Sequence, residues 1–187
     1  MKYLFPFFIF ISVATFSQSD STITSVDSAV VKTDSIIVKK PVVIELTKYR
    51  ITVPEGWRVQ AGCIDKKCVL LSPRDTLGTY DRFTENISIT INKLTSPKYT
   101  ADMYADFSKS YLPKVVSNFK VLERKRLKRN EVLMIYQGKK DNYEQTWLQY
   151  YIVKNVKVYI ITCSVETKNY EYYKPFIKEY AATFELK

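Results

Sequence analysis

The chain contains no histidine among its 187 residues. Histidine is the side chain whose charge changes nearest to neutral pH, and it is a common zinc ligand. Its absence excludes Ser-His-Asp and Cys-His nucleophilic catalysis as well as histidine-ligated zinc. Chemistry based on carboxylates, Ser-Lys pairs or tyrosine survives this exclusion, but the sequence shows no recognisable constellation for it. We therefore predict a protein that is not an enzyme and that carries no cofactor.

Long apolar runs are scarce, and the one at the start of the chain is short. Lys2 precedes an apolar stretch over Leu4–Phe16, and the small residues Thr15 and Ser17 fit the −3 and −1 positions of a signal peptidase site. The alternative is a transmembrane anchor, but a run of about 13 residues that contains Pro6 is too short to span a bilayer core of about 30 Å. We predict export with cleavage near Ser17, to the periplasm or beyond it.

Acidic residues are in the minority, with 19 Asp and Glu against 29 Lys and Arg and a net charge of +10. Excess positive charge favours acidic partners, although it also serves ordinary solubility. Nucleic acid is not an expected partner of an exported chain. Residues 18–41 are rich in Ser, Thr and Asp and are predicted to be a flexible polar linker, which leaves residues 42–187 as a single domain, expected to be monomeric.

The chain has only three cysteines. A four-residue hairpin loop between Cys63 and Cys68 would place them opposite each other, where Cα atoms lie about 4.5–5.5 Å apart. In an oxidising compartment we expect a disulfide that stabilises the fold by roughly 2 kcal/mol or less. A metal pair or a redox centre is the rival interpretation, but a metal needs more ligands and C-x-x-C spacing is absent. Cys163 is predicted to be a small buried core residue.

Four runs rich in Val, Ile, Tyr and Trp, separated by Asn- and Asp-containing turns, predict an antiparallel meander over Lys120–Lys128, Glu131–Lys139, Glu144–Lys154 and Val156–Glu166. Further strands are predicted at Val42–Glu45, on both sides of a Pro/Gly break within Tyr49–Cys63, and at Asn86–Leu94. Trp57, just after that break, is expected to bury its ring at the sheet edge.

Helical patterns flank the meander at Ser96–Asn118 and Tyr170–Thr183. Thr100 is a candidate N-cap of the first helix, and Pro113 should kink or end it. Asn169 can cap the second helix. Pro175 is acceptable if the regular helix starts there and Tyr170–Tyr173 forms a preceding turn. The apolar stripes predicted to face the core are Tyr104, Phe107, Tyr111 and Val115 in the first helix, and Tyr173, Phe176, Ile177, Tyr180 and Phe184 in the second.

Three stretches carry a resemblance: Tyr49–Trp57 with YRITVPEGW, Val156–Cys163 with VKVYIITC, and Tyr173–Ile177 running on to Thr183 and Phe184. With this order of elements, the chain resembles the PsbP-like family, which includes photosystem II extrinsic proteins, a nuclear Ran-binding factor and many exported bacterial proteins. The resemblance covers about residues 45–186. It implies an α+β fold, an α-β-α sandwich around an antiparallel sheet, and a non-catalytic protein that binds or stabilises a larger assembly. It carries over no functional residues, and without histidine a manganese or calcium role is not expected.

Two surfaces are candidates for binding. Strand alternation places Arg124, Arg126 and Lys128 on one face with Leu122, and Arg129 follows in the turn, so this basic hairpin could clamp an anionic partner or merely protect a sheet edge. The other candidate is the polar loop over Pro73–Glu85, whose possible binding residues are Arg74, Tyr80, Arg82 and Phe83, and whose carboxylates at Asp75, Asp81 and Glu85 would serve the remaining enzymatic alternative, a hydrolase.

The sequence therefore predicts an exported, non-catalytic binding or accessory protein that acts by contact with an unidentified protein of the cell envelope. The alternative is a binder of anionic envelope glycan or lipid through the basic hairpin. Salt separates the two, because screening weakens exposed charges and would lower the affinity for an anionic ligand steeply.

Overall fold

The structure is a computed structural model, and it describes Ile36–Ile37 together with residues 40–60, 63–64, 67–72 and 83–187. The predicted signal peptide and most of the predicted linker lie outside these residues. Within the described part of the chain, no helix is both long and apolar enough to cross a membrane.

The described elements alternate between one large sheet, one small sheet and two helices. In chain order they are β1 (Ile36–Ile37), β2 (Val42–Glu45), β3 (Tyr49–Val53), β4 (Arg58–Val59), β5 (Lys67–Leu71), β6 (Asn86–Lys93), α1 (Ala101–Tyr111), β7 (Ser117–Lys128), β8 (Glu131–Lys140), β9 (Tyr143–Lys154), β10 (Lys157–Glu166), α2 (Tyr170–Ala182) and β11 (Glu185–Leu186). Short 3-10 turns at Leu112–Lys114 and Thr167–Asn169 follow α1 and precede α2.

The large sheet is antiparallel and has the strand order β1-β4-β5-β6-β10-β9-β8-β7. The predicted four-strand meander is confirmed as β7 to β10, with bounds within three residues of those expected. Strand β1 lies inside the stretch predicted as a linker and pairs with β4. Strand β7 is the far edge, so its outer backbone groups face no strand of this sheet.

The break at Pro54-Glu55-Gly56 does more than turn the chain. Strand β3 before it pairs with β2 and β11 in a separate three-stranded sheet, whereas β4 after it enters the large sheet. Gly56 has φ 76, a left-handed conformation that glycine adopts without steric cost. The sequence predicted both strands but not that they belong to different sheets, because β11 comes from the other end of the chain.

The core lies between one face of the large sheet and a cover made of α2 and the small sheet. Alternate residues of the central strands point into it, among them Ile87, Ile89, Leu148, Ile161 and Val165, all essentially without solvent exposure. Helix α1 lies on the opposite face, where the Tyr104 ring meets Tyr151 with centroids 5.6 Å apart. The architecture is thus the predicted α-β-α sandwich around an antiparallel sheet.

Helix α1 confirms the predicted cap but corrects the predicted stripe. The Thr100 hydroxyl accepts a hydrogen bond from the Met103 amide at 3.2 Å. The buried residues are Ala101, Tyr104, Ala105 and Ser108, while Phe107 and Val115 are 42% and 40% exposed. Small residues let the helix lie close to the sheet. The sequence prediction considered only large apolar residues as core-facing, and it therefore overlooked the small ones.

Helix α2 begins at Tyr170, as predicted, and is regular from there, so Pro175 lies inside the helix rather than at its start. Asn169 occupies the cap position without a side-chain capping bond, and its amide donates instead to Glu85 Oε1 at 3.3 Å. Ile177 and Phe184 of the predicted stripe are buried, and the other three members pack against the core as partly buried residues. Trp57 is buried as expected, with its ring stacked on Phe176 at 5.5 Å.

Candidate interaction surface

The basic hairpin formed by β7 and β8 has two of its cations on the face that α1 covers. Arg124 lies opposite Met134 and Arg126 opposite Val132, so the two arginines share a face, as predicted. Register shifts interrupt the pairing between Val121 and Glu123 and again after Arg126. Such bulges are typical of edge strands and discourage further strand pairing.

The register shift between Arg126 and Lys128 separates Lys128 from the arginines. Lys128 lies opposite Glu131 and forms an ion pair with it at 3.3 Å. Because Glu131 and Val132 are neighbours on one strand, they point to opposite faces, and so do the residues paired with them. The prediction that Lys128 shares a face with Arg124 and Arg126 is therefore wrong, since a bulge changes the two-residue alternation.

Carboxylates of α1 neutralise the two arginines. Arg124 contacts Asp102 at 3.2 Å and Asp106 at 3.1 Å, and Arg126 contacts Asp102 at 2.7 Å. Arg124 also donates to the Asp102 carbonyl at 3.3 Å. Two cations thus meet two anions, and the face predicted to clamp an anionic partner is close to neutral. Arg129, in the turn, is exposed.

Three exposed apolar side chains lie on the same two elements as this neutral cluster. Met103 and Phe107 lie on α1 beside the two aspartates, and Leu122 lies on β7 next to the arginine strand segment; they are 48%, 42% and 43% exposed. We call Asp102, Met103, Asp106, Leu122 and Arg124, with Phe107 and Arg126, the α1–β7 corner. It combines apolar area with satisfied charge pairs.

The long loop is described only where it ends. Arg74, Tyr80 and Arg82, like Asp75 and Asp81, lie outside the described residues. The Phe83 ring packs against Tyr143 at 5.3 Å. Glu85 is buried, accepts the Asn169 amide, and its backbone carbonyl accepts from the Ser72 amide at 2.8 Å, so it holds the loop end against the start of α2.

Polar side chains beneath α1 form a connected network. The Tyr151 hydroxyl donates to Gln149 Oε1, and Gln149 Nε2 donates to Thr162 Oγ1 at 3.0 Å. Asn92 Nδ2 donates to the Tyr104 hydroxyl at 3.1 Å, and burial raises the pKa of Tyr104 to about 12. Burial also raises the pKa of Tyr151. These phenols are therefore neutral at ordinary pH and serve as structural hydrogen-bond groups.

Neither a metal site nor an activated nucleophile is evident in the described ranges. They hold no group of three or more Asp, Glu, Cys or His residues that could bind a metal ion. The Cys163 thiol is fully buried, and burial raises its pKa, which keeps it protonated and unreactive. Cys163 is the buried core residue that the sequence predicted.

The predicted disulfide between Cys63 and Cys68 is present, with Cα atoms 4.2 Å apart. The hairpin between them is tighter than expected, because Ile64 and Lys67 already exchange backbone hydrogen bonds at 2.9 and 3.0 Å. Ile64, the partner of Lys67 in this hairpin, is 56% exposed. The disulfide thus fixes the entry to β5.

Solved structures show the same fold. The cyanobacterial PsbP (CyanoP) of Synechocystis matches with a TM-score of 0.57 and 16% identity over 80% of this chain and 94% of that one. A Pseudomonas aeruginosa protein of unknown function matches with a TM-score of 0.52 and 15% identity over 75% of this chain and 92% of that one. No family model and no curated protein sequence matches. The chain has a PsbP-like fold, as the sequence resemblance predicted.

Sequence reasoning missed Asp102 and Asp106. Their spacing puts both carboxylates on one face of α1, a signal that was readable. Their partner strand begins only after the helix has ended, however, and sequence spacing does not reveal which strand face the helix covers. The ion pairs with Arg124 follow from tertiary packing alone.

Proposed function

We propose that the protein is exported, lacks catalytic activity, and acts as a binding or accessory protein by direct contact with a protein of the cell envelope. The observation that carries this proposal is the composition of the α1–β7 corner. Arg, Met and Phe are enriched in protein interfaces, and charged groups there are best tolerated when they are already paired. The Cys63–Cys68 disulfide fits an oxidising compartment and supports export.

An anionic glycan or lipid bound at the basic hairpin has less support. Of its four cations, Arg124, Arg126 and Lys128 are ion-paired within the chain, so a polyanion would have to displace carboxylates to reach them. A neutral protein surface needs no such exchange.

The test is affinity purification of the tagged protein from the envelope of its source cell, with washes at low and moderate salt. We expect a stoichiometric protein retained at both salts, because screening weakens exposed charges but not apolar contact. Replacing both Met103 and Leu122 with Asp should weaken retention roughly 30-fold, as for the loss of an interface hot spot.

The matched control replaces two exposed apolar residues elsewhere, Tyr172 on α2 and Val43 on β2, with Asp. This variant should retain the partner like the parent protein. Retention that is indifferent to the Met103 and Leu122 replacements would remove the α1–β7 corner from the proposal. A partner lost from every sample at moderate salt would contradict contact through apolar area.

A further inference from the structure

One end of the large sheet collects hairpin turns and positive charge. Its described segments are residues 63–64 and Lys67 at the start of β5, 93–94 after β6, 128–131 between β7 and β8, and 154–157 between β9 and β10; we call them the turn end. The antiparallel order brings all four to the same end of the sheet.

Three lysines of the turn end stand in one cross-strand row. Lys157 is paired in register with Lys93 on one side and with Lys154 on the other. Neighbouring strands lie about 4.8 Å apart, and like charges placed directly opposite each other oppose folding. In the described part of the chain Lys93 and Lys157 have no ion-pair partner, and Lys154 Nζ donates to the main-chain oxygen of Lys187 at 3.4 Å. Stability alone does not account for this row.

Further cations lie at the same end of the sheet, although Lys67, which pairs with Thr90, faces the side opposite to Lys93. Lys67 and Arg129 are exposed at the neighbouring turns. The described carboxylates nearby are engaged, Glu131 with Lys128 at 3.3 Å and Glu45 with Lys187 at 3.2 Å. The turn end therefore presents a surplus of ammonium groups to solvent.

Exposed apolar side chains lie at two of the same turns. Val156 has φ 57 and is 36% exposed, although a β-branched residue at positive φ is a steric outlier. Backbone strain of this kind is concentrated at functional sites. Ile64, which pairs with Lys67 inside the disulfide-closed hairpin, is 56% exposed. Val156 thus presents one aliphatic group between Lys154 and Lys157 in the chain, and Ile64 presents a second at the same end of the sheet.

We propose that the turn end docks on an anionic lipid bilayer. Lysine ammonium groups bind headgroup phosphates as point charges, while Val156 and Ile64 enter the interfacial region. Aliphatic tips have no role towards a hydrated soluble polyanion, which favours a bilayer over a polymer. The proposal uses other residues than the α1–β7 corner, so either can fail without the other.

The test measures binding of the full chain to phosphatidylcholine vesicles with and without phosphatidylglycerol. Neutral vesicles report any contribution of the apolar stretch Leu4–Phe16, and the anionic vesicles add the effect of charge. Replacing Lys93, Lys154 and Lys157 with Gln should weaken binding to anionic vesicles roughly 100-fold. Because it removes repulsion, this variant should fold at least as well as the parent, which a thermal melt checks.

The charge-matched control replaces Lys109, Lys114 and Lys139, at the opposite end of the sheet, with Gln and should change binding to anionic vesicles much less. An equal loss of binding to anionic vesicles in both triple variants would show that only net charge matters, and it would overturn the turn end as the binding site. Equal binding of the parent to neutral and anionic vesicles would also overturn it. Inhibition by inorganic phosphate without vesicle binding would identify a soluble phosphate ligand and reject the bilayer.

A second variant separates the apolar tip from charge. Val156→Asn introduces a residue that tolerates positive φ, and it leaves every lysine in place. It should weaken binding to anionic vesicles roughly tenfold while the melting temperature stays unchanged or rises. Unchanged binding would contradict insertion of the tip.

Discussion

The two ends of the large sheet differ in their cross-strand charge pairs, although the turn end also holds one opposite-charge pair, Lys128 with Glu131. At the turn end Lys157 stands between Lys93 and Lys154 in register. At the other end Lys139 lies opposite Glu144, and Lys168 contacts Glu166 at 2.8 Å. Solubility requires a net charge, but it does not require like charges in register on adjacent strands. The contrast is what motivates the proposed bilayer contact at the turn end.

The hairpin turns at the two ends also differ, in the type of residue that adopts a left-handed backbone conformation. Asp141, between β8 and β9, has φ 56, and aspartate is among the residues that accept a left-handed conformation. In the turn between β9 and β10, Asn155 has φ 50 but the strained position next to it is valine. Asp141 is thus a residue type that is common in such a turn, whereas Val156 has a steric cost and places an aliphatic side chain in the turn.

The largest expected effect concerns the anchor that holds α1 beside the turn end, where Tyr104 accepts from Asn92, the neighbour of Lys93. Burial raises the Tyr104 pKa from 10.0 to about 12, so the unfolded state loses its phenol proton first as pH rises. Stability is complete below about pH 10 and falls by about 2–3 kcal/mol between pH 10 and pH 12 from this residue. Urea unfolding across this range measures the loss.

Tyr104→Phe is the matched variant for that measurement. It should cost about 1 kcal/mol at neutral pH through the lost hydrogen bond, but its stability should fall less steeply above pH 10. The buried Tyr151 contributes its own loss in both proteins, so only the difference in slope is diagnostic. Identical slopes would mean that Tyr104 ionises equally easily in the folded and unfolded states.

The next effect is the release of turn strain. Val156→Gly should raise the free energy of unfolding by about 1 kcal/mol. The left-handed conformation costs an L-residue about 1–2 kcal/mol, and part of this gain is offset because glycine loses more conformational entropy on folding. Asp141→Gly at the other end should change stability by only a few tenths of a kcal/mol. Urea midpoints compare the two. A loss of stability in Val156→Gly would show that the valine contributes packing rather than strain.

Features that follow from a local or periodic pattern in the sequence were predicted, whereas features that depend on contact between distant segments were missed. The alternation of apolar residues in the meander identified β7 to β10, and the six-residue span of Cys63–Cys68 identified the disulfide. The division into two sheets was hidden, because β3 pairs with a strand from the chain terminus. The basic hairpin was misjudged for two physical reasons: a bulge moved Lys128 to the other face, and α1 supplied carboxylates to Arg124 and Arg126.

The smallest expected effect is the most direct test of the difference between the two ends of the large sheet. The same substitution, lysine to glutamate, should change stability in opposite directions at the two ends. Lys157→Glu places a carboxylate between two lysines and should stabilise by about 0.5 kcal/mol, whereas Lys139→Glu places it opposite Glu144 and should destabilise by a similar amount. Both changes should shrink at high salt, since the residues are near the surface. Urea unfolding at low and high salt measures them. If both variants shifted in the same direction, net charge rather than register would govern the turn end, and the lysine row would lose its significance.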